Sequence, residues 1–262
     1  MDILTEFKNI FKRFVSYLFP GLIRKDARNF WKASLKDEDV RSLSHWCGTG
    51  AWEEEKWHKF GEFYRELICR YFQKYDKNFS AVMKNKVALE WGPGGGVNVR
   101  VLCDMFRLVH GVDISNANLE ECHKKMTELG KINFIPHVLM DGKGLVFEHS
   151  SEKFDEIDFM LCVAVFQHMT SKHYVADVLK KMYSLMSARS YALFQTRYYD
   201  GSPQLKSKTI DYKKNVVTFL AFETDEFVDL LKLAGFELLC SEKDIDLEKS
   251  NYEFFFCKKV LS

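Results

Sequence analysis

Proline is scarce in this chain, with four residues in 262, and no stretch of the sequence is rich in proline, glycine or serine. A flexible linker between independent domains is therefore not expected. The seven cysteines are odd in number and form no C-x-x-C pair. That excludes a disulfide framework and a structural zinc site, and suits small buried thiols in a reducing cytosol. No apolar run approaches the roughly 18 residues a membrane-spanning helix needs. The chain opens Met1-Asp2 without a small-residue cleavage site, so no secretory signal is expected. Basic residues do not outnumber acidic ones in any useful way: 38 against 37, a net charge of +1. A nucleic-acid surface is not expected from that balance. Internal repeats and low-complexity tracts are missing as well. What is abundant is aromatic, at 15% of the chain and led by 23 phenylalanines, which calls for a large, well-packed core.

Glycine is also sparse, but not evenly so. Of 14 glycines, four fall in the five positions Gly92-Pro93-Gly94-Gly95-Gly96, directly after the apolar run Val87–Trp91. From that point short apolar runs alternate with helical spacing. The runs are Val87–Trp91, Leu108–Val112, Phe134–Leu139, Ile157–Cys162, Tyr191–Thr196, Glu237–Cys240 and Tyr252–Val260. Helices are predicted over Val97–Met105, Asn116–Leu129, His173–Met186 and Thr224–Ala234, the last stopped by Gly235. Nearly all-apolar strands separated by helices mean a parallel sheet covered on both faces. The last two runs have only a polar stretch between them and are expected to pair antiparallel. Residues 1–85 show helical patterns and no strand, most clearly over Trp52 to Tyr75. They are read as a helical lobe laid over the sheet domain of residues 86–262.

The glycine cluster joins a strand to a helix, where backbone N–H groups and open space serve a ligand at the carboxyl end of a parallel sheet. A dinucleotide fingerprint G-x-G-x-x-G would need glycine at position 97, which is Val97. The P-loop pattern fails because Lys and Ser/Thr do not follow. The pattern present is Glu90-x-Gly92-x-Gly94-x-Gly96. At the end of the second run stands Asp113, a carboxylate that can accept both hydroxyls of a ribose or cap the following helix together with Ser115. Asp141-Gly142 stands at the end of the third run, where it serves an exocyclic amine or a plain turn. The fourth run leads through Cys162 into the loop that carries His168.

In this order the stretches "VALEWGPGGG", "HGVDIS", "LMDG", "IDFMLCVAVFQHM" and "TDEFVDLLKLAGFELL" resemble the class I S-adenosylmethionine (SAM)-dependent methyltransferases, over residues 87 to the C-terminus. The resemblance implies a Rossmann-like, seven-stranded, mostly parallel α/β sheet with its last strand antiparallel. It implies SAM as cofactor and S-adenosylhomocysteine (SAH) as product, with the methionyl carboxylate near the glycine turn. Carried onto this sequence, Gly92, Gly94 and Gly96 admit the methionyl part and Glu90 organises the turn or meets the ammonium. Asp113 takes the ribose hydroxyls and Ile114 packs on adenine. Asp141 takes the adenine amine, Gly142 its edge, and Cys162 offers backbone contact. Two departures stand out: Trp91 and Pro93 are bulkier or stiffer than usual, and Cys162-Val163 replaces a small polar pair.

Methyl transfer needs a positioned acceptor, exclusion of water and, for a hydroxyl or ammonium acceptor, a base. His168 is the first candidate, His45 the second and His58 the third. Arg197, followed by Tyr198 and Tyr199, is a candidate for holding an acidic group on the acceptor. No cluster of metal ligands is evident. Trp31, Trp46, Trp52 and Trp57 crowd the lobe, either to stack on a sugar or flat metabolite or to glue lobe to sheet. The basic stretch Leu205 to Asn215 is expected as a surface loop. Ile3, Phe7, Ile10, Phe14 and Leu18 recur at helical spacing with basic residues between, up to a break at Pro20-Gly21. The stripe suits packing within the chain, a second subunit in an oligomer, or peripheral contact of residues 1–25 with the inner face of a membrane. The expected activity is O-methylation of a glycan or small metabolite by a cytoplasmic enzyme. An N-methyltransferase and a non-catalytic SAM-binding partner subunit remain the alternatives.

Overall fold

The computed structural model describes residues 20–48, 50–140, 145–147, 154, 156–245 and 251–260. Among the described residues four helices come first: α1 (Pro20–Trp31), α2 (Glu38–Leu43), α3 (Glu54–Tyr75) and α4 (Lys77–Val82). Pro20 stands at the first position of α1, where proline's fixed φ suits the helix and its missing N–H is not needed. The sheet follows, with β1 (Val87–Trp91), β2 (Leu108–Asp113), β3 (Phe134–Met140), β4 (Val146–Phe147), β5 (Ile157–Cys162), β6 (Met186–Arg197), β7 (Phe236–Lys243) and β8 (Tyr252–Lys259). Helices α5 (Val97–Met105), α6 (Asn116–Glu128), α7 (Lys172–Leu185), α8 (Tyr212–Asn215) and α9 (Thr224–Ala234) connect them.

Strand order is β4-β3-β2-β1-β5-β6-β8-β7. The five strands β3, β2, β1, β5 and β6 are parallel, and β8 runs antiparallel between β6 and β7. All seven expected strands are present. An eighth, the two-residue β4, pairs antiparallel with the end of β3. The order in which successive strands are added reverses at β1, which lies between β2 and β5, and this is where parallel sheets open a crevice above their carboxyl ends.

Alternation along β1 sends Val87, Leu89 and Trp91 into one apolar layer and Ala88 into the other. The first layer is completed by α7 and α9 through Val178, Leu179, Phe227 and Leu231. The second is completed by α5, α6 and the long α3, whose Trp57, Leu67, Ile68 and Phe72 pack in the same cluster as Phe159 and Phe256. Tyr71 stacks on Phe256 with ring centroids 5.1 Å apart. Helix α3 thus supplies part of the core of the sheet.

Candidate functional site

The glycine turn ends β1 at the reversal point. Gly92, Gly94 and Gly96 all take positive φ, at 77°, 53° and 90°. Their missing Cβ atoms make room for the chain itself. A Cβ on Gly94 would lie 2.3 Å from the Ser44 carbonyl oxygen, and one on Gly95 2.6 Å from that of His45. The bare backbone therefore seats the segment Ser44–Trp46 directly on the turn. Gly95 N–H donates to Ser44 O at 2.7 Å, Trp46 Nε1 donates to Asn118 Oδ1 at 3.0 Å, and Asn118 Nδ2 donates to Ser44 Oγ at 3.3 Å. The remaining turn amides are committed too: Gly92 to Val112 O, Gly94 to Asp113 Oδ2 and Gly96 to Pro93 O. The turn was expected to offer free N–H groups to a ligand; instead each is bonded within the chain.

Above the turn lies an open cavity between the sheet and helix α1. Its floor is made by Glu90, Gly92, Gly94, Asn98, Asp113 and Ile114. Glu90 is 1% exposed. Its Oε1 accepts from Asn98 Nδ2 at 2.8 Å, and its Oε2 has no hydrogen-bond partner among the described residues. Burial pushes its carboxyl up to about 8. Asp113 accepts from Ser115 N–H at 2.8 Å through Oδ1 and from Gly94 N–H at 3.4 Å through Oδ2. Burial outweighs those bonds and raises it to about 6. The Asn118 side chain and the Ile114 N–H also act on this carboxylate and lower it, which fits the helix-capping role.

The opposite walls come from the loop after β5 and from α1, α7 and α8. Ala164 holds a left-handed φ of 55°, fixed by its N–H donating to Gln195 Oε1 at 2.7 Å. His45 has the same unusual φ, 55°, and lines the same cavity. Non-glycine residues in this region store strain that the surroundings must offset. His168 Nδ1 lies 2.7 Å from Val216 O, so it is the protonated nitrogen, and Nε2 carries the lone pair, 3.3 Å from Gln167 Nε2. Burial lowers both His168 and His45 to about 4, and the neighbouring His168 adds to the depression of His45. Both rings are neutral at neutral pH. Trp31 meets His168 edge-on at 4.8 Å and donates Nε1–H to Tyr212 Oη at 2.9 Å, while Tyr212 donates to His168 O at 2.6 Å.

The structure brings Glu90, Gly92, Gly94, Asp113, Ile114, His168 and His45 to one cavity. Gly96 lies behind it, its Cβ position facing Cys122 Sγ at 2.8 Å. Cys162 points into the core, and the following Val163, Ala164 and Val165 line the cavity instead. Arg197 is not among the lining residues. Its Nη2 donates to Tyr252 Oη at 3.4 Å, and its guanidinium lies over that ring at 5.0 Å. Tyr198 and Tyr199 bond Asp244 and Gly201, and half-exposed His58 lies 3.5 Å from Glu54, all away from the cavity. Asp141 and Gly142, and the stripe from Ile3 to Leu18, lie outside the described residues. The stretch Leu205 to Asn215 is not simply a surface loop, since it places Tyr212 in the cavity wall. Arg24, Arg28 and Tyr174 line the cavity too; of these the sequence singles out only Arg24, as a basic residue after the Pro20-Gly21 break and not as part of a site. Their signal was the i, i+4 spacing of Arg24 and Arg28 beside Ala27 and Trp31 on one helix. Among the described residues, no group of three or more His, Cys, Asp or Glu is placed to hold a metal, and no helix is long and apolar enough to cross a membrane.

Residues 89–194 match the family profile described as "Methyltransferase domain". At the level of sequence, no curated protein matches significantly. The fold is shared widely, with 1228 solved chains matching, so by itself it does not name an acceptor. Magnesium protoporphyrin IX methyltransferase from Synechocystis PCC 6803, solved with bound SAH, superposes with a TM-score of 0.61 at 16% identity, covering 90% of this chain and 100% of that one. The mitomycin 7-O-methyltransferase MmcR gives 0.57 at 17%, covering 88% and 60%. A SAM-dependent methyltransferase from Clostridium acetobutylicum ATCC 824 gives 0.55 at 13%, covering 78% and 92%.

Proposed function

We propose that this chain, a member of the class I SAM-dependent methyltransferases, methylates an acceptor oxygen of a glycan or small metabolite. The fit of the cofactor rests on the cavity floor. Glu90 Oε2 is buried with no hydrogen-bond partner among the described residues, and an ammonium group beside it would favour the ionised carboxylate and satisfy that oxygen. The Asp113 carboxylate in the cavity lining suits ribose hydroxyls, and Ile114 offers an apolar face for a nucleobase. Bound there, SAM supplies an electrophilic sulfonium methyl group.

The observation that favours an acceptor that sheds a proton, such as a hydroxyl, is the neutral His168. Its Nδ1–H is tied to Val216 O, so Nε2, 3.3 Å from Gln167 Nε2, is the nitrogen that takes a proton as the acceptor hydroxyl is methylated. Its depressed basicity keeps it unprotonated across the physiological range. His45 shares the wall and packs at a tilt against Trp52, ring centroids 4.3 Å apart, which suits it to orient the acceptor. Helix α1 excludes water from the same space through Ala27 and Trp31.

Calorimetric titration with SAM and SAH, with NAD as control, tests the cofactor. His168→Ala tests the base. We expect SAM affinity to stay within about threefold while turnover on an identified acceptor falls between about 10²- and 10⁴-fold. Unchanged turnover places the base elsewhere, with His45 next.

A further inference from the structure

We propose that Arg24 and Arg28, on helix α1, take the carboxylate of the cofactor's methionyl end, in place of the glycine turn. This rests on the SAM reading above and deepens it. The turn amides from Gly92 to Gly96 are each bonded within the chain, to Val112 O, Asp113 Oδ2, Ser44 O and Pro93 O, and Pro93 has none to give. The carboxyls nearest the turn, Glu90 and Asp113, repel another carboxylate once ionised. The two lining histidines are neutral. Among the described residues that line the cavity, Arg24 and Arg28 alone carry a positive charge at neutral pH.

Their placement suits the task. They stand one turn apart on α1 and so share a face. The Arg24 guanidinium lies 4.5 Å over the Tyr174 ring, which orients it while leaving its N–H edge for an oxyanion. Trp31, one turn further along, anchors α1 through its bond to Tyr212. Guanidinium groups recognise carboxylates with paired, charge-assisted hydrogen bonds. The cavity then divides its charges in the sense of an amino acid: Glu90 for the ammonium, the α1 arginines for the carboxylate.

The test compares SAM with decarboxylated SAM, which lacks only the carboxylate, by calorimetry on the full chain and its Arg24→Gln, Arg28→Gln and double variants. The wild-type protein should prefer SAM. Each single variant should lower SAM affinity about tenfold and the double variant about 100-fold, where tenfold corresponds to about 1.4 kcal/mol. Affinity for decarboxylated SAM should stay within about threefold throughout, which also serves as the folding control. SAM affinity unchanged in the double variant overturns the proposal and leaves the arginines to an anionic acceptor. Equal loss for both ligands overturns it too, since the arginines then support the nucleoside or the fold. If the wild-type protein binds neither ligand, the cofactor reading itself falls.

Discussion

Single residues in this cavity are defined by what they lack. Asp113 sits at the tip of β2, where the sequence placed an acid with two candidate roles, and both oxygens already hold one backbone donor. Replacing it with asparagine keeps the shape and removes the charge and one acceptor. We expect Asp113→Asn to weaken SAM binding about 10- to 100-fold, the range for hydrogen bonds to a charged group, as read by calorimetry. An unchanged dissociation constant would remove Asp113 from the ribose role. Residues of this kind were legible because an acid that closes an apolar run is a local pattern. Arg197 shows the opposite case. Its place after an apolar run suggested a ligand group, but only the pairing of β6 with β8 reveals that Tyr252 occupies it.

Among elements, legibility followed length and periodicity. The limits of β1, β5, α5 and α9 agree with the sequence to the residue. Strand β6 begins earlier than expected, at Met186, directly after α7, because Ser187 to Ser190 lack the apolar signal that marks its core. Strand β4 has two residues and no pattern to detect. The glycine turn was recognised as a site, but its partner was not, since nothing in a linear sequence announces that residues 44–46 return to cover it. That contact is testable. Gly94→Ala places a methyl group 2.3 Å from the Ser44 carbonyl oxygen and a side chain on a left-handed backbone. We expect a loss of about 2–4 kcal/mol, measured by urea unfolding, together with weakened SAM binding as the segment lifts. A variant as stable as the parent would show that the segment is not seated there in solution.

Four titrating groups of the cavity are held against their preferences by burial, and they shape the response of the whole molecule to pH. Glu90 and Asp113, raised to about 8 and 6, hold protons longer folded than unfolded, so their contribution to stability is complete in acid and lost as pH rises through those values. His45 and His168, lowered to about 4, do the reverse: their contribution is present above the ordinary histidine value of about 6.5 and lost as pH falls towards 4. Below about 6.5 the two sets oppose each other. Between about 6.5 and 8 Glu90 acts alone among these four groups, so the ligand-free protein should melt at progressively lower temperature across that window. Glu90→Gln should flatten the decline and weaken SAM binding. Thermal melts at pH 6.5, 7.25 and 8, with and without SAM, check both halves; a wild-type melting temperature flat across the window contradicts the burial of an ionising Glu90.

Helix α1 has one more consequence. Trp31 stands with its indole edge against His168 and its N–H on Tyr212, inside the space a substrate must enter. An indole so placed is an optical reporter built into the catalytic chamber, because its emission depends on the polarity and charge around it. Occupancy of the chamber, and protonation of the adjacent imidazole, are therefore readable from the protein's own light, without a label. Trp91 lines the same space from β1, so exchanging one indole at a time would separate events at the strand tips from events beneath the helix.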